Sequence, residues 1–223
     1  MASYIYIPIM TPEMAAMAAD WNNGRLQLQK AAYPILGADS SGIGKALRRK
    51  FGGGYLSNVN AGDKVYVLAH GIKTPTSGGA LAIGVKRGGQ YVQDGTSLTG
   101  YTVQGGAWKT YPAIQLATHL EKEGLPQNFV DLRLFCCSAG LGATHNGNPV
   151  APYAQRLKAA LTARGYNSII VTGYSGDLCC QYGAYFAPGT LVALGSAKQG
   201  TGKGVKLPGD TYVSRAKNAR VQF

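Results

Sequence analysis

The sequence predicts a single α/β domain with a mostly parallel central sheet, helices on both faces and a loop or hairpin insertion. Three observations carry that prediction. Apolar runs of strand length, Lys64–Leu68, Val130–Phe135 and Ser168–Tyr174, alternate with helical patterns over Tyr111–Glu123 and Ala151–Arg164. The runs are apolar on both faces, as strands covered on both sides are. The order strand, helix, strand, helix, strand reads as two βαβ units, which form parallel sheets.

Composition agrees with a folded domain. The chain has 223 residues, of which 45% are hydrophobic and only 14% charged, which excludes a disordered polyelectrolyte. The division expected is an N-terminal strand and helices over 1–62, a core over 63–174, and C-terminal strands with a basic tail over 175–223. No stretch reaches the length of a membrane-spanning helix. The N-terminal segment lacks a basic leader region and carries Pro8 and Pro12. A cytoplasmic location, or secretion by a route independent of a signal peptide, is therefore expected.

Taken in order, Ser3–Ile9 is rich in β-branched and aromatic residues and reads as the first strand. Thr11-Pro12-Glu13 then supplies a cap, a proline at the first helical position and an acid in the first turn. The predicted helix runs from Pro12 to about Trp21, where Asn22-Asn23-Gly24 breaks it. A second helical piece spans about Arg25 to Ala32, stopping before Pro34. A short basic helix follows over Ile43–Phe51. Its Gly-Ile-Gly-Lys spacing lacks the full phosphate-loop pattern.

Between Thr74 and Thr110 the chain is rich in Gly, Ser and Thr, and reads as a loop-rich insertion. Leu81–Val85 and Tyr91–Gln93 are candidate hairpin strands around Arg87-Gly88-Gly89. The Tyr111–Glu123 helix places Ile114, Leu116, Ala117 and Leu120 toward the core, and Gly124 and Pro126 end it. Leu141–Pro149 reads as a polar loop. The helix after it buries Tyr153, Leu157, Ala160 and Leu161. Thr190–Leu194 and Thr211–Phe223 read as later strands, with a basic turn between.

The chemistry-bearing residues gather at strand ends. His70-Gly71 closes the run Val65-Tyr66-Val67-Leu68-Ala69, and Cys136-Cys137 closes Leu132-Arg133-Leu134-Phe135 before the small turn Ser138-Ala139-Gly140. Open α/β sheets place reactive side chains at this rim. If the two strands are neighbours, an imidazole stands beside a thiol and can take its proton. The N–H groups of Gly71 and Cys137 would then form an oxyanion hole. Alternation lets only one of the two cysteines face the histidine. His145, in the loop after the cysteines, is the rival base. His119, inside a predicted helix, reads as structural. The spacing of the four cysteines as adjacent pairs fits neither zinc-binding nor neighbouring-disulfide geometry, so no metal is expected.

This pair of motifs resembles the caspase-like cysteine peptidases of clan CD, which include caspases, metacaspases, legumains, gingipains, separases and the autoprocessing domains of large bacterial toxins. Those families share an apolar strand ending in His-Gly, then an apolar strand ending in a small residue, the nucleophilic Cys and a Gly-containing turn. The resemblance spans roughly Asp63–Tyr174. It implies a caspase-like three-layer sandwich and a cysteine endopeptidase, such as a bacterial effector or toxin. Cys137 falls on the nucleophile, His70 on the base, and Gly71 and Cys137 on the oxyanion hole. Cys136 stands where the family places Ala, Ser or Gly. The loop Gly173-Tyr174-Ser175-Gly176-Asp177 would flank the substrate pocket, with Asp177 selecting a basic side chain. Cys179 and Cys180 read as packing residues.

The net charge is +12, from 22 Lys+Arg against 10 Asp+Glu, which favours polyanionic partners. Lys198, Lys203, Lys206, Arg215, Lys217 and Arg220 crowd near the C-terminus. The toxin domains it resembles are switched on by inositol hexakisphosphate, so a polyanion site formed by Lys203, Lys206, Arg215 and Lys217 is a further expectation, with an inositol polyphosphate as activator. The alternative to a peptidase is a non-catalytic basic α/β module that binds nucleic acid or polyphosphate.

Overall fold

The computed structural model describes residues 1–27, 29–37, 54–74, 76–93, 101–179, 186–187, 190–191, 204–209 and 214–223. The chain begins with β1 (Ser3–Tyr6), α1 (Pro12–Gln27), β2 (Ile35–Leu36), β3 (Lys64–Leu68), β4 (His70–Ile72), β5 (Ala82–Arg87), β6 (Gln90–Gln93), β7 (Tyr101–Gln104) and β8 (Ala107–Tyr111). It continues with α2 (Ala113–Lys122), β9 (Asp131–Phe135), β10 (Ala143–His145), β11 (Asn148–Val150), α3 (Tyr153–Thr162), β12 (Ile170–Tyr174) and β13 (Asp177–Cys179). It ends with β14 (Phe186–Ala187), β15 (Thr190–Leu191), β16 (Gly204–Lys206), β17 (Ser214–Arg215), a 3-10 turn (Ala216–Ala219) and β18 (Arg220–Gln222). No helix among the described residues is long and apolar enough to cross a membrane.

The central sheet has six strands in the order β18-β12-β9-β3-β1-β2. All its pairings are parallel except that of β12 with β18, which is antiparallel. Mixed α/β architecture with a mostly parallel sheet is thus present. Alternation divides its side chains between two cores. Val65, Val67, Leu132 and Leu134 pack with α2 and α3 on one face. Tyr66, Leu68 and Phe135 pack with α1 on the other, around the buried Trp21. Trp21 meets Tyr66 edge-on, with ring centroids 5.1 Å apart, and lies 4.6 Å from the Phe135 ring.

Helix α1 begins as the sequence predicts: Pro12 opens it and Thr11 Oγ1 accepts the Met14 N–H at 3.2 Å. It does not break at Asn22-Asn23-Gly24, and no separate helix covers 29–32. The reason is tertiary. Asn22 clasps the returning chain, donating from Nδ2 to the Tyr33 carbonyl at 2.9 Å and accepting the Tyr33 N–H at 2.8 Å. That grip holds a helical turn whose local propensity is poor.

The insertion is more regular than expected. β5 and β6 do not pair with each other. β5 lies between β4 and β8, and β6 pairs with β7. The loop after the cysteines carries the β10–β11 hairpin. Ile114, assigned above to the core, is 66% exposed, whereas Leu116, Ala117, His119 and Leu120 are buried. The predicted basic helix over 43–51 falls outside the described residues.

Asp63 ties the first strand to the third. Its Oδ1 accepts the Ala2 N–H at 2.6 Å and its Oδ2 accepts the Asn60 N–H at 3.0 Å. These donors hold the carboxyl below the usual carboxylate range. A depressed carboxyl pKa contributes stability that is complete above the unfolded value and is lost as pH falls through the folded one. Denaturation midpoints should therefore decline as pH falls below about 4, and Asp63→Asn should flatten that decline. Melts of both proteins between pH 5 and 3 check this.

Candidate active site

β3 and β9 are adjoining parallel strands in the register Leu68↔Phe135. The next steps past this pair are Ala69 and Cys136, then His70 and Cys137. Alternation sends Cys136 to the α2–α3 core, where it is buried and its thiol donates to the Val67 carbonyl at 3.6 Å. Burial pushes its thiol far above the ordinary range. Cys137 emerges on the opposite face and packs against the α1 core.

At His70 the chain leaves the central sheet and enters the small sheet β4–β5–β8. This crossing brings Gly71 directly onto the Cys137 backbone. A Cβ at Gly71 would lie 1.9 Å from the Cys137 carbonyl oxygen and 2.8 Å from its carbonyl carbon. Only glycine allows the two strand ends to touch this way. The turn after the cysteines is tight for a similar reason. A Cβ at Gly173 would lie 2.6 Å from the Gly140 nitrogen, so the Ser138–Gly140 turn abuts β12. Ser138 adopts a left-handed conformation, φ 53°, which is uncommon for a residue with a side chain. Its N–H donates to the Gly176 carbonyl at 2.7 Å, and its Oγ lies 3.2 Å from Asp177 Oδ1.

The imidazole is held from α1. His70 Nε2 lies 2.8 Å from Glu13 Oε1, a carboxylate whose side chain is 7% exposed. The His70 ring also stands perpendicular to the Trp108 ring, with centroids 5.7 Å apart. Trp108 is 49% exposed, and Lys86 lies 5.8 Å above its ring.

The thiol of Cys137 is partly exposed. It accepts the Leu178 N–H at 3.3 Å. Burial pushes this thiol up, and the Asp177 charge adds to that push. The Leu178 and Gly71 N–H groups and the Lys73 ammonium pull the other way, and the net displacement is upward. At rest the sulfur is therefore protonated, and it requires a base to become a nucleophile. The N–H of Gly71, expected as an oxyanion donor, is one of the two backbone groups that favour the thiolate.

Asp177, expected to select a basic side chain, carries an ion pair. Lys73 Nζ bonds its Oδ1 at 2.6 Å and reaches Ser138 Oγ at 3.4 Å. Tyr174, expected beside the pocket, is fully buried with its ring edge-on to Phe135. Its place on the core face of β12 removes it from any substrate surface. Ser175 donates its N–H to the Ala219 carbonyl at 3.0 Å.

The rival histidines stand elsewhere. His145 is an exposed residue of the β10–β11 hairpin. His119 is buried in α2, 2.7 Å from the Tyr6 hydroxyl and 3.8 Å from Glu123. Of the expected polyanion residues, Lys206 and Lys217 are exposed, and the β17 backbone at Arg215 pairs with β16. Lys203 and Cys180 lie outside the described residues. Lys73 carries no local sequence signal. Glu13 reads locally as a first-turn acid and nothing more.

Comparison with protein-family models, with curated proteins and with solved structures returns no significant match.

Proposed function

We propose that the protein is a cysteine endopeptidase of caspase-like type, acting through Cys137 and His70. One observation carries the reading: Gly71 lies against the Cys137 backbone, on the face where His70 and Cys137 both meet α1. Two strand ends far apart in sequence thus meet backbone to backbone, one carrying a candidate base and the other a candidate thiol. The mostly parallel sheet with helices on both faces is the scaffold this family's resemblance implies.

In this reading His70 takes the Cys137 proton, and the sulfur forms a bond to the scissile carbonyl carbon. The N–H of Gly71, a residue packed on the Cys137 backbone, serves in this reading as a donor to the carbonyl oxygen as it develops charge. The C–N bond breaks as His70 returns the proton to the leaving amine. Water then attacks the thioester with His70 as base, releasing the acid and the thiol. Asp177 and Ser138 stand on the thiol's flank, where a substrate side chain would enter.

A thiol probe tests the pairing. Iodoacetamide should label Cys137 fastest, as followed by mass spectrometry at neutral pH. His70→Ala should slow that labelling by tenfold or more, on the scale of a lost general base. Equal labelling of both proteins would refute the dyad.

A further inference from the structure

We infer that Glu13 is a positioning residue for His70, holding the imidazole through Nε2 so that Nδ1 is the nitrogen offered to the Cys137 thiol. The inference rests on the peptidase reading and adds a third residue to it. Its basis is geometric. Glu13 comes from the first turn of α1, which the Thr11 cap and Pro12 fix in place. Its side chain is nearly buried, on a helix whose Met14 and Met17 lie in the core. Burying a carboxylate there is costly unless a partner compensates it. Among the described residues, its Oε2 has no hydrogen-bond partner, and Oε1 has the His70 ring at 2.8 Å. The one hydrogen-bond partner of this carboxylate among the described residues is thus the candidate base.

An imidazole bound at Nε2 by an anion gains three properties. Its neutral form keeps the proton on Nε2, so Nδ1 carries the lone pair. Its plane is fixed, with Trp108 bracing the ring edge-on. The positive charge it acquires with the thiol proton is compensated by a nearby negative charge, as in other acid–base–nucleophile arrangements. The remaining charged groups around this pair are Asp177 and Lys73, which bear on the thiol, and Lys86, which sits over Trp108.

The test follows iodoacetamide labelling of Cys137 against pH in the full chain, for the wild type, Glu13→Gln, Glu13→Asp and His70→Ala, with thermal melts alongside. Glu13→Gln is expected to slow labelling at neutral pH about tenfold. Glu13→Asp is expected to recover part of that rate, which a purely structural role would not produce. A Glu13→Gln curve that overlays the wild type, with His70→Ala slow, overturns the role of Glu13 and leaves the dyad standing. Wild-type behaviour of His70→Ala instead removes the peptidase reading beneath it. If Glu13→Gln does not fold, nitrogen NMR of the wild-type histidines decides. A neutral His70 protonated on Nε2 supports the inference, and one protonated on Nδ1 refutes it.

Discussion

Cys137→Ala is expected to lower peptide cleavage by a factor on the order of 10³ or more, the scale on which nucleophile removal acts in such sites. Cys136→Ala is expected to leave the cleavage rate near that of the wild type. The two cysteines are chain neighbours, yet the sheet separates them. Cys136 is sealed among α2, α3 and β3, with its thiol on the Val67 carbonyl. Cys137 stands on the α1 face beside Gly71. Removing a buried thiol leaves a small void, and its effect falls on stability instead, at about 1 kcal/mol. A peptide library incubated with each variant, read by mass spectrometry, separates the outcomes. Cleavage that survives Cys137→Ala would remove this residue from the chemistry.

Gly71→Ala is expected to destabilise the fold by about 3 kcal/mol, at the upper end for overpacked sites, and to abolish rapid labelling of Cys137. The added methyl would meet the Cys137 carbonyl oxygen at 1.9 Å. No flexible side chain stands there to move aside, since the obstacle is backbone. Either β4 or the end of β9 must shift, and each shift carries His70 away from the thiol. Urea denaturation measures the first effect and the iodoacetamide rate the second. Wild-type values in both would mean that β4 does not cross close over Cys137.

What the sequence makes legible is what local chemistry decides. The central strands are long apolar runs, and covered strands have few other readings. Helix α3 carries Tyr153, Leu157, Ala160 and Leu161 at helical spacing, and all are buried. Thr11-Pro12 announces the start of α1, as the cap geometry bears out. The illegible parts depend on distant partners. The continuation of α1 needs Tyr33 to return to Asn22. The pairing of β5 needs β4 and β8, which flank it only in the folded chain. Ile114 fits a helical stripe, but the crowded interface of α2 with α3 and the sheet leaves it outside. At the site, two residues at strand ends carry a pattern that can be read. Glu13 meets His70 across 57 residues and Lys73 meets Asp177 across 104, and no local signal marks either pair.

The antiparallel strand β18 has a consequence for handling the protein. Phe223 exchanges both backbone hydrogen bonds with Val171, at 3.1 and 3.3 Å, so residues 220–223 are the selvedge of the six-stranded fabric. Trimming them would leave β12 with a row of unmet amide donors and acceptors, a template on which one molecule can stitch itself to the next. A purification handle is better placed so that it leaves residues 220–223 paired with β12.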